Sequence, residues 1–157
     1  MIVLWHGERP IGVCVFCAPA ASLRLRHRFF GRSPPVRGGP ARSRYLRRLN
    51  ARLWLLARVV LHPAYRGAGV AAAFVRRCCE LCPVPWVETL SALGHVHPLF
   101  ERAGFARVGV CRKDPRRLGP RHHAGLYGRR ACLHPDTTRK SQFAEPVYYV
   151  FDNRRKT

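Results

Sequence analysis

Between residues 53 and 91 the chain spells out one continuous piece of architecture. Nine mostly apolar residues, Leu53-Trp54-Leu55-Leu56-Ala57-Arg58-Val59-Val60-Leu61, stop at His62-Pro63. Unbroken apolar character over a strand's length predicts a strand covered on both faces. A short loop carrying Arg66, Gly67 and Gly69 then opens onto a run in which Val70, Phe74, Cys78 and Leu81 recur at helical spacing. That periodicity predicts a helix over 67–82, stopped by Pro83, and a second strand over 85–91. A β-α-β order requires a right-handed crossover and a parallel strand pair. The expected fold class is therefore α/β, with a parallel pair at the centre of a mixed sheet.

The loop between the first strand and the helix has the makings of an anion site. Backbone N–H groups at a helix N-terminus lack intrahelical partners, the helix dipole adds partial positive charge there, and glycines let a ligand approach the backbone. Gly67, Ala68, Gly69, Val70 and Ala71 supply that cradle, and Arg66 can add a forked, charge-assisted bond. A dinucleotide-binding turn is a rival reading, since Gly67-Ala68-Gly69-Val70-Ala71-Ala72 fits G-x-G-x-x-A and Glu88 lies about 20 residues on. Against it, the five residues from His62 to Arg66 separate strand from glycines, and Glu88 falls mid-strand. A glycine turn without a ligand is the plainer alternative. A Walker loop is excluded, because no Gly-Lys-Ser/Thr follows.

Elsewhere, strands are expected over 1–6 and 11–17 as a hairpin around Gly7-Glu8-Arg9-Pro10, over 105–110, and over 147–151. A short helix is expected over 98–103 and another over 43–52, whereas 22–50 is otherwise irregular because Ser33-Pro34-Pro35 and Gly38-Gly39-Pro40 are strong breakers. The length of 157 residues suits one domain. It divides into a core over about 53–110, a basic insert over about 20–52, a basic loop over about 111–143 and a closing strand over about 146–151.

The segment Arg66-Gly67-Ala68-Gly69-Val70-Ala71 resembles the cofactor-binding motif of the GNAT family of acyl-CoA-dependent N-acetyltransferases, and Phe100-Glu101-Arg102-Ala103-Gly104-Phe105 resembles the family's Tyr-Glu-Lys-x-Gly-Phe segment. The match covers 53–110. It implies a GNAT-like, strongly twisted mixed sheet with a central parallel pair and flanking helices, the family's N-terminal helices being reduced or missing here. It further implies acetyl transfer from acetyl-CoA, as co-substrate, to a primary amine. The pyrophosphate would lie on Arg66 to Ala71, and main-chain groups of Val59, Val60 and Leu61 would pair with pantetheine and polarise the thioester. Glu88 is the first candidate for the base, with a core carboxylate paired to an arginine as its alternative; His95 and His97 are further candidates, although His97 before Pro98 equally suits a helix start. The family's tyrosine acid is replaced by Phe100, so Tyr148 or Tyr149 would have to substitute, or the thiolate leaves unassisted. Val87-Glu88-Thr89-Leu90 leading into His97-Pro98-Leu99-Phe100 is similar to the acetyltransferase-like domain fused to ABC-type ATPases. Two other functions stay open: nucleic-acid base modification on the same scaffold, similar to phage Mom-type proteins, and a non-catalytic nucleic-acid-binding module.

Charge bears on the partner. Formal net charge is +21, from 29 basic and 8 acidic residues. Residues 20–58 hold 11 arginines and no acid, whereas 59–110 hold 5 arginines against three glutamates. Such flanks fit DNA or RNA; a GC-rich genome, which also favours arginine over lysine, is the competing explanation. Seven cysteines, an odd number, argue against a disulfide framework and for a reducing cytoplasm. Cys14/Cys17 and Cys79/Cys82 are spaced like zinc pairs but sit in strand-like and helix-like runs, where thiols act as small hydrophobes. His122, His123, Cys132 and His134 match no standard site, so no metal is expected. No apolar run reaches 18 residues, so no membrane span is expected.

Overall fold

The computed structural model describes residues 1–31, 35, 39–112 and 145–154. Most of the expected basic loop, with His122, His123, Cys132 and His134, lies outside the described residues. The chain runs β1 (Ile2–His6), β2 (Arg9–Cys17), α1 (Arg24–Phe30), α2 (Gly39–Asn50), β3 (Leu53–Leu61), α3 (Val70–Glu80), β4 (Trp86–Ser91), α4 (Leu99–Arg102), β5 (Ala106–Val110) and β6 (Val147–Asp152). The strands form one mixed sheet in the order β1-β2-β3-β4-β6-β5. β3 and β4 are parallel and every other neighbouring pair is antiparallel.

Alternation of side chains along the strands divides the sheet into two unlike faces. On one, α3 and α4 press a core of Cys14, Leu56, Phe74, Val75, Cys78, Cys79, Val87, Phe100, Phe105 and Tyr149 onto the strands. The helix stripe departs from the expected one in a single place. α3 stops at Glu80, so Leu81 turns outward and is 52% exposed, while Cys82 takes the inward position. Asn153 fixes the turn that follows: its Nδ2 donates to the carbonyls of Cys82 and Val84 at 2.9 and 3.0 Å, and its backbone N–H donates to Pro85.

The other face carries α1 and α2; α2 overlaps the helix expected over 43–52 but begins four residues earlier, and α1 corrects the irregular course expected for the rest of 22–50. Gly39-Pro40, expected to break structure, begins α2. Proline is favoured in a first helical turn, where its missing N–H has no partner to lose. α1 ends on Gly31 in the left-handed conformation, φ 63°, with its N–H bonded to His27. Two helices thus exist, but they stand between β2 and β3. The hydropathy pattern hides α1 because its most buried residue is an arginine. Arg26, 2% exposed, donates from Nε to Glu88 Oε2 at 2.8 Å, pairs through Nη2 with Oε1, and donates from Nη1 to the Ala20 carbonyl. Phe29 and Phe30 close that layer edge-on against Trp86.

Candidate functional site

β3 and β4 pair for only three residues, Leu53 with Trp86, Trp54 with Val87 and Leu55 with Glu88. Beyond that point they diverge. The cause lies on the other side of β3. Val15 opposes Arg58 and Phe16 opposes Leu56, so Ala57 is an extra residue, a β-bulge. A bulge bends its strand, and the bend carries 58–61 away from β4. It also resets which face each side chain meets: Trp54 and Leu56 before it, and Val59 after it, all join the α3 core. Thr89 bridges the start of the gap, its Oγ1 donating to the Leu56 carbonyl at 3.0 Å.

The divergence opens a cleft of about 510 Å³, lined by both strand ends, by Arg66 and Ala71 of the loop and helix, and by Leu99 and Phe100. Among the described residues its lining includes Arg58 and Arg66 and no acid. Strand alternation shows which main-chain groups face it. The His62 N–H donates to the Ile11 carbonyl, so His62, Val60 and Arg58 direct their peptide groups to β2. Val59 and Leu61 therefore turn theirs to the cleft. Of the three expected backbone contacts, Val59 presents its peptide groups and Leu61 its N–H, the Leu61 carbonyl being taken by Arg66, and Val60 offers its half-exposed side chain instead.

The glycine loop stands at the cleft mouth. Gly67 and Gly69 have φ of 84° and 77°, values that side-chain-bearing residues rarely adopt. Gly69 is the N-cap of α3, and no side chain caps the helix there. The first N–H groups of the helix, at Val70 and Ala71, accordingly remain available. Arg66 Nε donates to the Leu61 carbonyl at 3.1 Å, which ties the guanidinium to the end of β3. Upstream, the His6 ring accepts or donates a short bond with the Tyr65 hydroxyl, a contact across 59 residues that no local pattern announces.

The expected proton-transfer residues are not gathered around this cleft. Glu88 is 1% exposed, held by Arg26 and by Tyr148, whose hydroxyl donates to Oε2 at 2.9 Å. It projects to the face of α1, whereas its neighbours Thr89, Leu90 and Ser91 line the cleft. The alternative reading of Glu88, a core carboxylate paired with an arginine, describes its surroundings. Burial works against the Arg26 charge, but the bond and ion pair with Glu88 outweigh it and raise its pKa. Burial, then the Glu88 charge, drives the Tyr148 hydroxyl far above the ordinary phenol range. Tyr149 lies behind Phe100 with ring centroids 5.4 Å apart. Its hydroxyl donates to Glu101 Oε1 at 2.9 Å, and burial followed by that bond pushes it up to about 12. Neither phenol is a ready proton donor at neutral pH. His95 and His97 are exposed on the segment after β4. His95 Nε2 lies 2.6 Å from the Glu145 carbonyl, which can only accept, so Nε2 carries the proton and Nδ1 holds a free lone pair in the neutral ring.

No protein-family model, curated protein or solved structure matches the chain. What the cleft can do follows from its geometry. Among the described residues no group of three or more histidines, cysteines or acids is placed to hold a metal. Cys14, Cys78 and Cys79 are buried free thiols and Cys82 is buried beside them, with burial raising Cys14 and Cys79 far above the ordinary range. Such thiols are poor ligands and nucleophiles. Among the described residues no helix is long and apolar enough to cross a membrane.

Proposed function

We propose that the protein is a GNAT-like N-acetyltransferase that moves an acetyl group from acetyl-CoA to a primary amine. One observation carries the reading: a bulged strand that leaves its parallel neighbour beside an uncapped, glycine-led helix start. The gap supplies an unpaired strand edge for an extended amide chain, and the loop supplies main-chain donors and Arg66 for phosphate at its mouth. The N–H groups of Val59 and Leu61 are the donors that would polarise the thioester carbonyl. The amine nitrogen then bonds to the carbonyl carbon, the C–S bond breaks, and the sulfur leaves as thiolate. A thiol of pKa about 8.5 needs little help to leave, which suits a cleft with Phe100 where the family has tyrosine. The proton from the amine leaves to water, and its final acceptor in this reading is His95 Nδ1, on an exposed imidazole outside the cleft lining, with His97 as the other. Glu88 has no part in this chemistry, because its oxygens are already committed.

Isothermal titration with acetyl-CoA tests the loop. The parent is expected to bind, and Arg66→Ala to bind at least tenfold more weakly. A parent that does not bind ends the proposal, and equal binding by both removes Arg66 from it. In a thiol-release assay across candidate amines, His95→Asn is expected to lower kcat at unchanged KM for acetyl-CoA. A second reading, coenzyme binding without turnover in a nucleic-acid-binding module, is favoured by the engagement of Glu88, Tyr148 and Tyr149. It predicts tight binding with no thiol release from any amine.

A further inference from the structure

α2 buries none of its residues completely, although it lies over the sheet. Between it and the strands is a second groove, of about 920 Å³, on the face opposite α3. Its walls are aromatic and aliphatic: Phe30, Tyr45, Leu49, Leu53 and Trp86. Its rim is cationic. Arg44, Arg48 and Arg52 follow one another at four-residue intervals, so Arg44 and Arg48 stand about 6 Å apart along α2 and Arg52 continues their line past its end.

Among the described residues nothing compensates the charges on that rim. Arg26 also reaches the groove, but its charge is engaged by Glu88. Among the described residues the side chains of Arg44, Arg48 and Arg52 have no hydrogen-bond or ion-pair partner and no acid lines the groove, and all three arginines are exposed. Some other surface arginines are paired with acids: Arg76 and Arg77 bond to Glu80, and Arg154, whose guanidinium also lies 4.3 Å from the centroid of the Trp86 ring, bonds to Asp152. Three like charges in a row beside an apolar, partly aromatic wall form a surface complementary to a ligand with repeated anions and planar apolar groups.

We infer that the groove between α2 and the sheet binds single-stranded nucleic acid, the three arginines taking successive phosphates and the aromatic wall stacking unpaired bases. An acidic peptide would satisfy the rim and leave the aromatic wall unused. A duplex would offer phosphates with its bases shut away. Stacking on aromatic side chains and a cationic track are the two parts of sequence-tolerant single-strand binding. The inference uses the other face of the sheet, and it stands whether or not the cleft takes acetyl-CoA.

Fluorescence anisotropy with a labelled oligothymidylate tests it, using the whole chain over a range of salt. The parent is expected to bind, with log K falling linearly in log salt. The variant Arg44→Ala/Arg48→Ala/Arg52→Ala is expected to lose at least tenfold in affinity and to flatten the salt slope by about 2, from three contacts at about 0.7 each. Arg9→Ala/Arg76→Ala/Arg77→Ala removes the same charge elsewhere and is expected to change affinity less than twofold. Tyr45→Ala is expected to weaken the oligonucleotide about fivefold and to leave binding of heparin, a polyanion without bases, unchanged. Rim and control variants that lose equally would overturn the inference. So would a parent that prefers duplex or heparin to the single strand, or an acidic peptide that displaces the oligonucleotide at equal concentration.

Discussion

At the scale of single residues, the Arg26–Glu88 pair decides most. A carboxylate in an apolar strand invites a catalytic reading, and that much was legible, since Glu88 interrupts Trp86-Val87 and Thr89-Leu90. Its partner was not. Arg26 lies 62 residues away in a stretch where arginines are too common for any one to stand out. Removing one member of a buried pair leaves the other charge uncompensated. Glu88→Gln is therefore expected to lower unfolding stability by about 3–5 kcal/mol, read by urea titration. Replacing both partners together with apolar residues of similar size is expected to recover most of that loss. A Glu88→Gln variant of parental stability would return the residue to the list of catalytic candidates.

At the scale of elements, the strands and α3 were legible because their patterns are local. β3 has the bounds that its apolar run predicts, and β4, α4, β5 and β6 fall within a residue or two of theirs. The bulge at Ala57 was not legible. It is a mismatch between β2 and β3, and each strand alone reads as regular. α1 escaped for the reason already given, an arginine facing inward. The divergence that the bulge creates is held at its root by Thr89. Thr89→Val is expected to cost about 1–3 kcal/mol, because the Leu56 carbonyl would be left buried without its donor. The same change should weaken acetyl-CoA binding more than Leu81→Ala, an exposed position on the helix end. The loop tolerates less. Gly69→Ala meets no neighbouring atom within 4 Å, so its expected cost, roughly 1–2 kcal/mol, is purely that of the left-handed backbone.

At the scale of the whole molecule, buried acids of high pKa make the fold sensitive to base. Tyr148 and Tyr149 are held above the ordinary phenol value of 10.0, and Cys14 and Cys79 above the ordinary thiol value of 9.0. A raised folded-state pKa means that the unfolded chain gives up its proton first. Stability from these groups is complete below about pH 9 and falls as pH climbs, with Tyr149 spending its share between 10 and about 12. Unfolding midpoints measured at pH 8, 10 and 11 are expected to decline, and Tyr149→Phe to decline less steeply between the last two. The charge asymmetry of the chain was legible as a composition. Its division into a cleft on one side of the sheet and an arginine-rimmed groove on the other was not, because residues 20–58 take part in both.

The strand order leaves its mark on synthesis. β6 sits between β4 and β5, although both precede it in the chain. While the ribosome is still making residues 111–146, the growing polypeptide already holds two apolar strands with nothing between them. Each is an adhesive margin open to neighbouring nascent chains. Slow translation through that stretch should raise the demand for holdase chaperones, and the demand should end once residues 147–152 have emerged.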